Sequence, residues 1–180
     1  MKKTILFFSL ITITVTGMAQ KAVTTSAVIG FDATTPKDAL PKAENKTAIA
    51  SLDKTTGVIM FEAAVNNFAF SNPKMQEHFN SSGWLNSAEF PKFTFSGKID
   101  KLSEVKFNKN GSYKVNVSGN LTVKGTSKAI STPVTIVVKD GSVSTSSEFS
   151  IVLADYSVTG GPITSGKVAA EPKISVSANF

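Results

Sequence analysis

Apolar and polar residues alternate with period two along most of this chain, the pattern of strands with one dry face and one wet face. Phe93, Phe95, Gly97 and Ile99 alternate with Thr94, Ser96, Lys98 and Asp100. Tyr113, Val115, Val117, Gly119, Leu121 and Val123 alternate with Lys114, Asn116, Ser118, Asn120 and Thr122. Ile130, Val134, Ile136 and Val138 share one parity, as do Val143, Phe149, Ile151 and Leu153, and then Ile174, Val176, Ala178 and Phe180. Ile59, Phe61, Ala63 and Val65 form a further face, blurred by Met60. Weaker strands are predicted near residues 23–31 and 47–52, for about eight in all. Asn110-Gly111 and Asp140-Gly141 are type I′ hairpin signals, Asp53 to Gly57 is a longer loop ending in glycine, and Lys124 to Lys128 links two strands.

One stretch breaks the alternation. In Asn72-Pro73-Lys74-Met75-Gln76-Glu77-His78-Phe79, Asn72 suits an N-cap and Pro73 the first helical position, so a short helix is predicted there. Met75 and Phe79 lie four apart on one helical face. Tyr156 to Lys173, with three glycines and two prolines, reads as a long loop before the last strand. Eight strands with one apolar face must close into a barrel or fold into a sandwich. A barrel of that size is either filled by its own side chains or holds one small ligand. The fold class expected is therefore all-β, a sandwich or an eight-stranded antiparallel barrel with the helix near its mouth.

The N-terminus changes the picture of location. Lys2 and Lys3 precede an apolar run from Ile5 to Val15, and Gly17-Met18-Ala19 places small residues where a signal peptidase cuts. Residues 1–19 are read as a secretory signal peptide and 20–180 as one domain, periplasmic or secreted. No later apolar run approaches the roughly 18 residues of a membrane helix, so no stable membrane insertion is expected. The chain has no cysteine, which excludes disulfides and a cysteine-linked lipid anchor. Its formal net charge is +6, carried by scattered lysines without a single arginine. That distribution fits a solvated surface and not nucleic-acid binding, since arginine is the preferred fork for phosphate.

Candidate chemistry is sparse. His78 is the one histidine. It is read as a structural helix residue, a contact to a ligand headgroup or, with no second histidine or cysteine for a metal, least of all as catalytic. Ser144-Thr145-Ser146-Ser147 lacks the Gly-x-Ser-x-Gly elbow of a hydrolase. Gly97 and Gly119 fall at inward positions, where they either widen a lumen or mark a bulge or tight coiling. No cofactor is expected.

Three segments together resemble the YceI-like family: the helix stretch Asn72–Phe79 running on to Phe90-Pro91-Lys92-Phe93-Thr94-Phe95, the hairpin Gly119-Asn120-Leu121-Thr122-Val123-Lys124-Gly125-Thr126-Ser127-Lys128, and the late strand Phe149 to Tyr156. The resemblance runs from about Val28 to Phe180. It implies a lipocalin-like barrel holding a polyisoprenoid, quinone or fatty-acid-like lipid in an apolar tunnel, and a protein that is not an enzyme. On that basis Phe61, Phe93, Phe95, Val115, Val117, Leu121, Val134, Ile136, Phe149 and Ile151, with Val176, are expected to line the tunnel. Met75 and Phe79 are expected to seal one end beside Trp84, and His78 to meet the headgroup. Transport and storage both fit, and so does a homodimer. The alternatives are an enzyme acting on an apolar substrate and a filled structural or stress-response barrel.

Overall fold

The computed structural model describes residues 21–180; the signal peptide expected at residues 1–19 lies outside them. Eight long strands form the barrel: β1 (Lys21–Asp32), β2 (Lys42–Asp53), β3 (Val58–Ala64), β5 (Lys92–Ile99), β6 (Gly111–Val123), β7 (Thr126–Lys139), β8 (Ser142–Ser150) and β9 (Lys173–Asn179). A two-residue strand, β4 (Ala69–Phe70), adds to the edge of β2. Every pairing is antiparallel, and the order β1-β9-β8-β7-β6-β5-β3-β2 closes because β2 returns to β1. Closure is the physical answer to the alternation: it hides one face of every strand and leaves no free sheet edge where the ladders are complete.

Helix α1 (Pro73–Asn80) lies where the sequence places it. The Asn72 side chain accepts a hydrogen bond from the Lys74 N–H at 2.9 Å, and Pro73 occupies the first turn. Asp140 and Gly141 both have positive φ, as the tight β7–β8 turn requires. Lys124 and Gly125 do the same between β6 and β7, so that link is two residues long and Thr126 already belongs to a strand.

Three local readings are corrected. Asn110-Gly111 is not a hairpin turn. The β5–β6 connection spans residues 100–110 with a 3-10 turn at Leu102–Glu104, and Asn110 instead bonds to the β7–β8 turn. Its Nδ2 donates to Asp140 Oδ1 and its Oδ1 accepts from the Asp140 N–H, both at 2.9 Å. Strand β8 stops at Ser150, and Leu153–Tyr156 is a 3-10 turn. The segment read as a loop before β9 contains a four-residue helix, α2 (Gly161–Thr164).

The interior has two apolar clusters. One lies toward the helix and joins Phe31, Phe68, Phe79, Trp84, Leu85, Val123, Leu153 and Tyr156 to a floor of small alanines on β1 and β2. The other closes the far end with Leu52, Ile59, Ile99, Val115, Val117, Ile136, Val138 and Val143, and Val105 from the β5–β6 connection is buried against it.

Candidate functional site

Between the two clusters lies a cavity of about 120 Å³. The alternation builds it: inward positions of β1, β3, β5, β6, β7, β8 and β9 all contribute, because side chains two apart on a strand face the same side. Its lining is apolar except for Thr132, Thr145, Ser146 and Ser147. Two of these hydroxyls bond to each other, with Thr132 Oγ1 and Ser147 Oγ 2.9 Å apart, and Ser147 also donates to the Pro133 carbonyl at 2.8 Å. Among the described residues, no ionisable side chain lines the cavity.

Of the residues expected at the site, Phe61, Phe79, Phe93, Phe95, Val117, Leu121, Val134, Phe149 and Ile151 line this cavity, as does Val176. Val115 and Ile136 do not. They face inward but lie in the far cluster, beyond the cavity's reach. Parity told which face they occupy; it carries no information about depth along the barrel. Met75 and His78 are also outside the cavity. They line a separate surface pocket at the helix end with Phe31, Asp38, Phe70, Phe79, Trp84 and Lys167.

Phe31, Phe79 and Trp84 belong to both spaces and form the partition between them. Phe79 is its centre, with ring centroids 4.9 Å from Phe70, 5.6 Å from Phe31 and 5.7 Å from Phe68, tilted or edge-on as aromatic pairs prefer. His78 is exposed, its ring 6.5 Å from that of Trp84. Burial pushes the Tyr156 hydroxyl up, and neighbouring Asp155 adds to the shift.

Sequence reasoning missed several lining residues. Ile29, Phe31 and Ile174 follow from parity alone. Phe68 and Leu85 sit outside any strand, where no periodicity flags them. Asn45, buried completely, was overlooked as a structural residue. It donates to the Ala64 carbonyl at 2.9 Å and accepts from the Thr47 N–H at 2.8 Å, tying β2 to the end of β3. Gly97 and Gly119 face each other across an unshifted β5–β6 register, so they mark no bulge. Nor do they open the lumen: the Phe95 ring lies over Gly97, and a Cβ on Gly119 would collide with the Ser96 carbonyl and the Gly97 Cα. Among the described residues no group of three or more His, Cys, Asp and Glu could hold a metal ion, and no helix is long and apolar enough to cross a membrane.

A closed antiparallel barrel around an apolar cavity, partitioned from solvent by an aromatic helix cap, is a lipocalin-like barrel. A profile of the YceI-like domain matches residues 6–180, and the chain belongs to the YceI-like family. No curated protein matches it. Among solved structures it is similar to BcnA of Burkholderia cenocepacia, with 19% identity over 86% of this chain and 96% of that one and a TM-score of 0.70. It is similar to a polyisoprenoid binding domain from Saccharophagus degradans implicated in plant cell wall breakdown, with 13% identity over 90% and 98% and a TM-score of 0.75. The Campylobacter jejuni YCEI protein matches over 100% and 99% at 17% identity and a TM-score of 0.54.

Proposed function

We propose that the chain binds one long apolar lipid, an isoprenoid chain or a quinone tail, in the barrel cavity, and does so outside the cytoplasm as a carrier or store. The observation that carries this reading is a lining in which ten or more apolar side chains from seven strands converge while, among the described residues, no acid or base faces the space. Apolar burial supplies roughly 25 cal/mol per Å², so a tail binds there with few polar contacts. The absence of an ionisable lining group is why binding is favoured over catalysis, which requires a proton acceptor or nucleophile within reach. The fold shared with a polyisoprenoid binding domain supports the choice of ligand class.

The volume adds a condition. A cavity of about 120 Å³ is smaller than the roughly 150 Å³ that holds one benzene ring. A long tail must therefore move the Phe61, Phe95 and Phe149 rings aside, and the lumen is an expandable seam of side chains instead of an open tunnel. Native mass spectrometry of protein purified from its host, followed by solvent extraction, tests the reading. The expected result is one apolar lipid per chain, restored when the stripped protein meets a polyprenol or a quinone in detergent. Stripped protein that takes up neither would rule the reading out in favour of a filled barrel.

A further inference from the structure

The barrel wall has a gap beside β7. The β7–β8 ladder runs from Lys139↔Ser142 only to Val134↔Ser147, although β7 continues for eight more residues to Thr126 and β8 for three more to Ser150. Over that stretch β7 pairs with β6 alone and β8 with β9 alone. The ladder stops at Pro133. In a strand a residue's N and C=O point to the same side, and the Pro133 carbonyl accepts from the Ser147 hydroxyl of β8 at 2.8 Å. The missing proline N–H is therefore missing from the β8 side, where it would have continued the ladder; proline in a sheet belongs at such edges.

The gap leads to the cavity. Ile130 and Thr132 on one lip and Phe149 and Ile151 on the other line it, and Ile130, Phe149 and Ile151 are partly exposed. The two ends of the barrel are covered. The aromatic partition around buried Phe79 blocks the helix end, and Val105 with the far cluster blocks the other. The unpaired half of β6 has the β5–β6 connection over it, whereas the gap beside β7 is narrowed at its upper end, where the 3-10 turn Leu153–Tyr156 packs against β7 and Lys124 Nζ donates to the Ser157 carbonyl at 3.0 Å.

We propose that the slot between β7 and β8, above Pro133, is the portal through which the lipid tail enters and leaves the cavity. The lips part sideways, and the tail passes between Ile130 and Ile151 without the helix unseating. This rests on the lipid-binding reading of the cavity, and the slot itself is measurable without any ligand.

The chain has no cysteine, so a Ser131→Cys/Ser150→Cys pair, one on each lip and neither lining the cavity, is bridged cleanly with a short bismaleimide. The readout is the exchange rate of cis-parinaric acid, whose fluorescence rises in apolar surroundings. Bridging is expected to slow uptake and release about tenfold or more, mostly in rates and not in affinity, while each single cysteine variant capped with N-ethylmaleimide behaves as wild type. Pro133→Val, which restores a donor to the ladder, is expected to slow exchange about two- to tenfold, the worth of one backbone hydrogen bond. Exchange unchanged by the bridge but accelerated by Phe79→Ala would move the portal to the helix end and overturn the proposal. Amide hydrogen exchange decides the slot itself. Slot-facing amides within residues 127–132 and 148–150 are expected to exchange much faster than those of residues 134–139; equal protection would show a closed wall and defeat the portal. Wild-type protein that takes up no probe, with fast slot amides, would defeat the lipid-binding reading and the portal with it.

Discussion

Phe79 and His78 are adjacent in sequence and opposite in consequence. Phe79 is buried among three other phenylalanine rings, and His78 is exposed on the outer turn of α1. Truncating a buried aromatic removes both its transfer free energy and the contacts of the space left behind, so Phe79→Ala is expected to cost about 3–5 kcal/mol of stability. His78→Ala is expected to change stability by less than about 0.5 kcal/mol, as exposed substitutions do. Denaturant midpoints of the two variants check the pair, and a large loss in His78→Ala would mean that the helix cap depends on the imidazole. Asp32 gives a second residue-scale expectation. The Thr34 hydroxyl donates to its carboxylate at 2.7 Å, the Thr34 N–H does so at 3.1 Å, and Lys42 lies 3.5 Å away. These contacts, Thr34 foremost, hold its carboxyl below the usual range against the opposing effect of partial burial. Because the folded-state value is depressed, the linked stability is fully present above the unfolded carboxyl value of about 3.9 and is lost as pH falls through the folded one. Asp32→Asn should therefore flatten the acid limb of a stability–pH curve below about pH 4 and leave its slope near neutrality unchanged.

At the scale of elements, the β5–β6 wall depends on a glycine pair, Gly97 and Gly119, that face each other across the ladder. Gly119 has no room for a methyl group, because backbone atoms of Ser96 and Gly97 already occupy the space. Backbone cannot swing away as a flexible side chain can, so Gly119→Ala is expected to cost about 1–3 kcal/mol through forced strand displacement, seen as a lowered midpoint of thermal unfolding. A neutral outcome would show that the two strands separate freely. The elements also show what local sequence can and cannot say. Helix α1 was legible because its signals are local: a capping asparagine, a first-turn proline and an i, i+4 apolar pair. Asp140-Gly141 was legible because its positive φ angles demand those residue types. Asn110-Gly111 carries the same chemistry and makes no such turn, since the strand before it had already ended at Ile99 and the connection is long.

For the molecule as a whole, the balance between a filled core and an expandable lumen is the property to test. Val117 is almost completely buried at the cavity wall, and Leu121, four residues on along the same face, is partly exposed within it. If the lumen expands, Val117→Trp or Leu121→Trp should fit with little loss of stability and abolish uptake of a polyprenol. If it does not, overpacking should cost about 1–3 kcal/mol. Paired measurements of unfolding and of lipid uptake decide between the two. Ligand linkage gives the same test another readout: lipid at about 100 times its dissociation constant should add roughly 2.7 kcal/mol to the stability of wild type and nothing to the tryptophan variants.

The alternation of side chains determined the strands, their inward faces and the need to hide one apolar face in a barrel or a sandwich, because parity is a local property of extended backbone and one exposed apolar face is intolerable in water. Phe61, Phe93, Phe95, Val117, Leu121, Val134, Phe149 and Ile151 share that inward parity and line the cavity, although parity alone does not separate a lined cavity from a filled core. Only the tertiary structure decided depth and closure. Val115 and Ile136 share the parity of their neighbours but lie past the cavity's end, and Phe68 and Leu85 enter it from irregular segments that have no parity at all. The slot above Pro133 belongs to the same class of fact. The proline is visible in the sequence, but a missing N–H opens a wall only when strand register sets it against a partner, and it is register that ends the ladder at Val134↔Ser147, one residue short of Pro133.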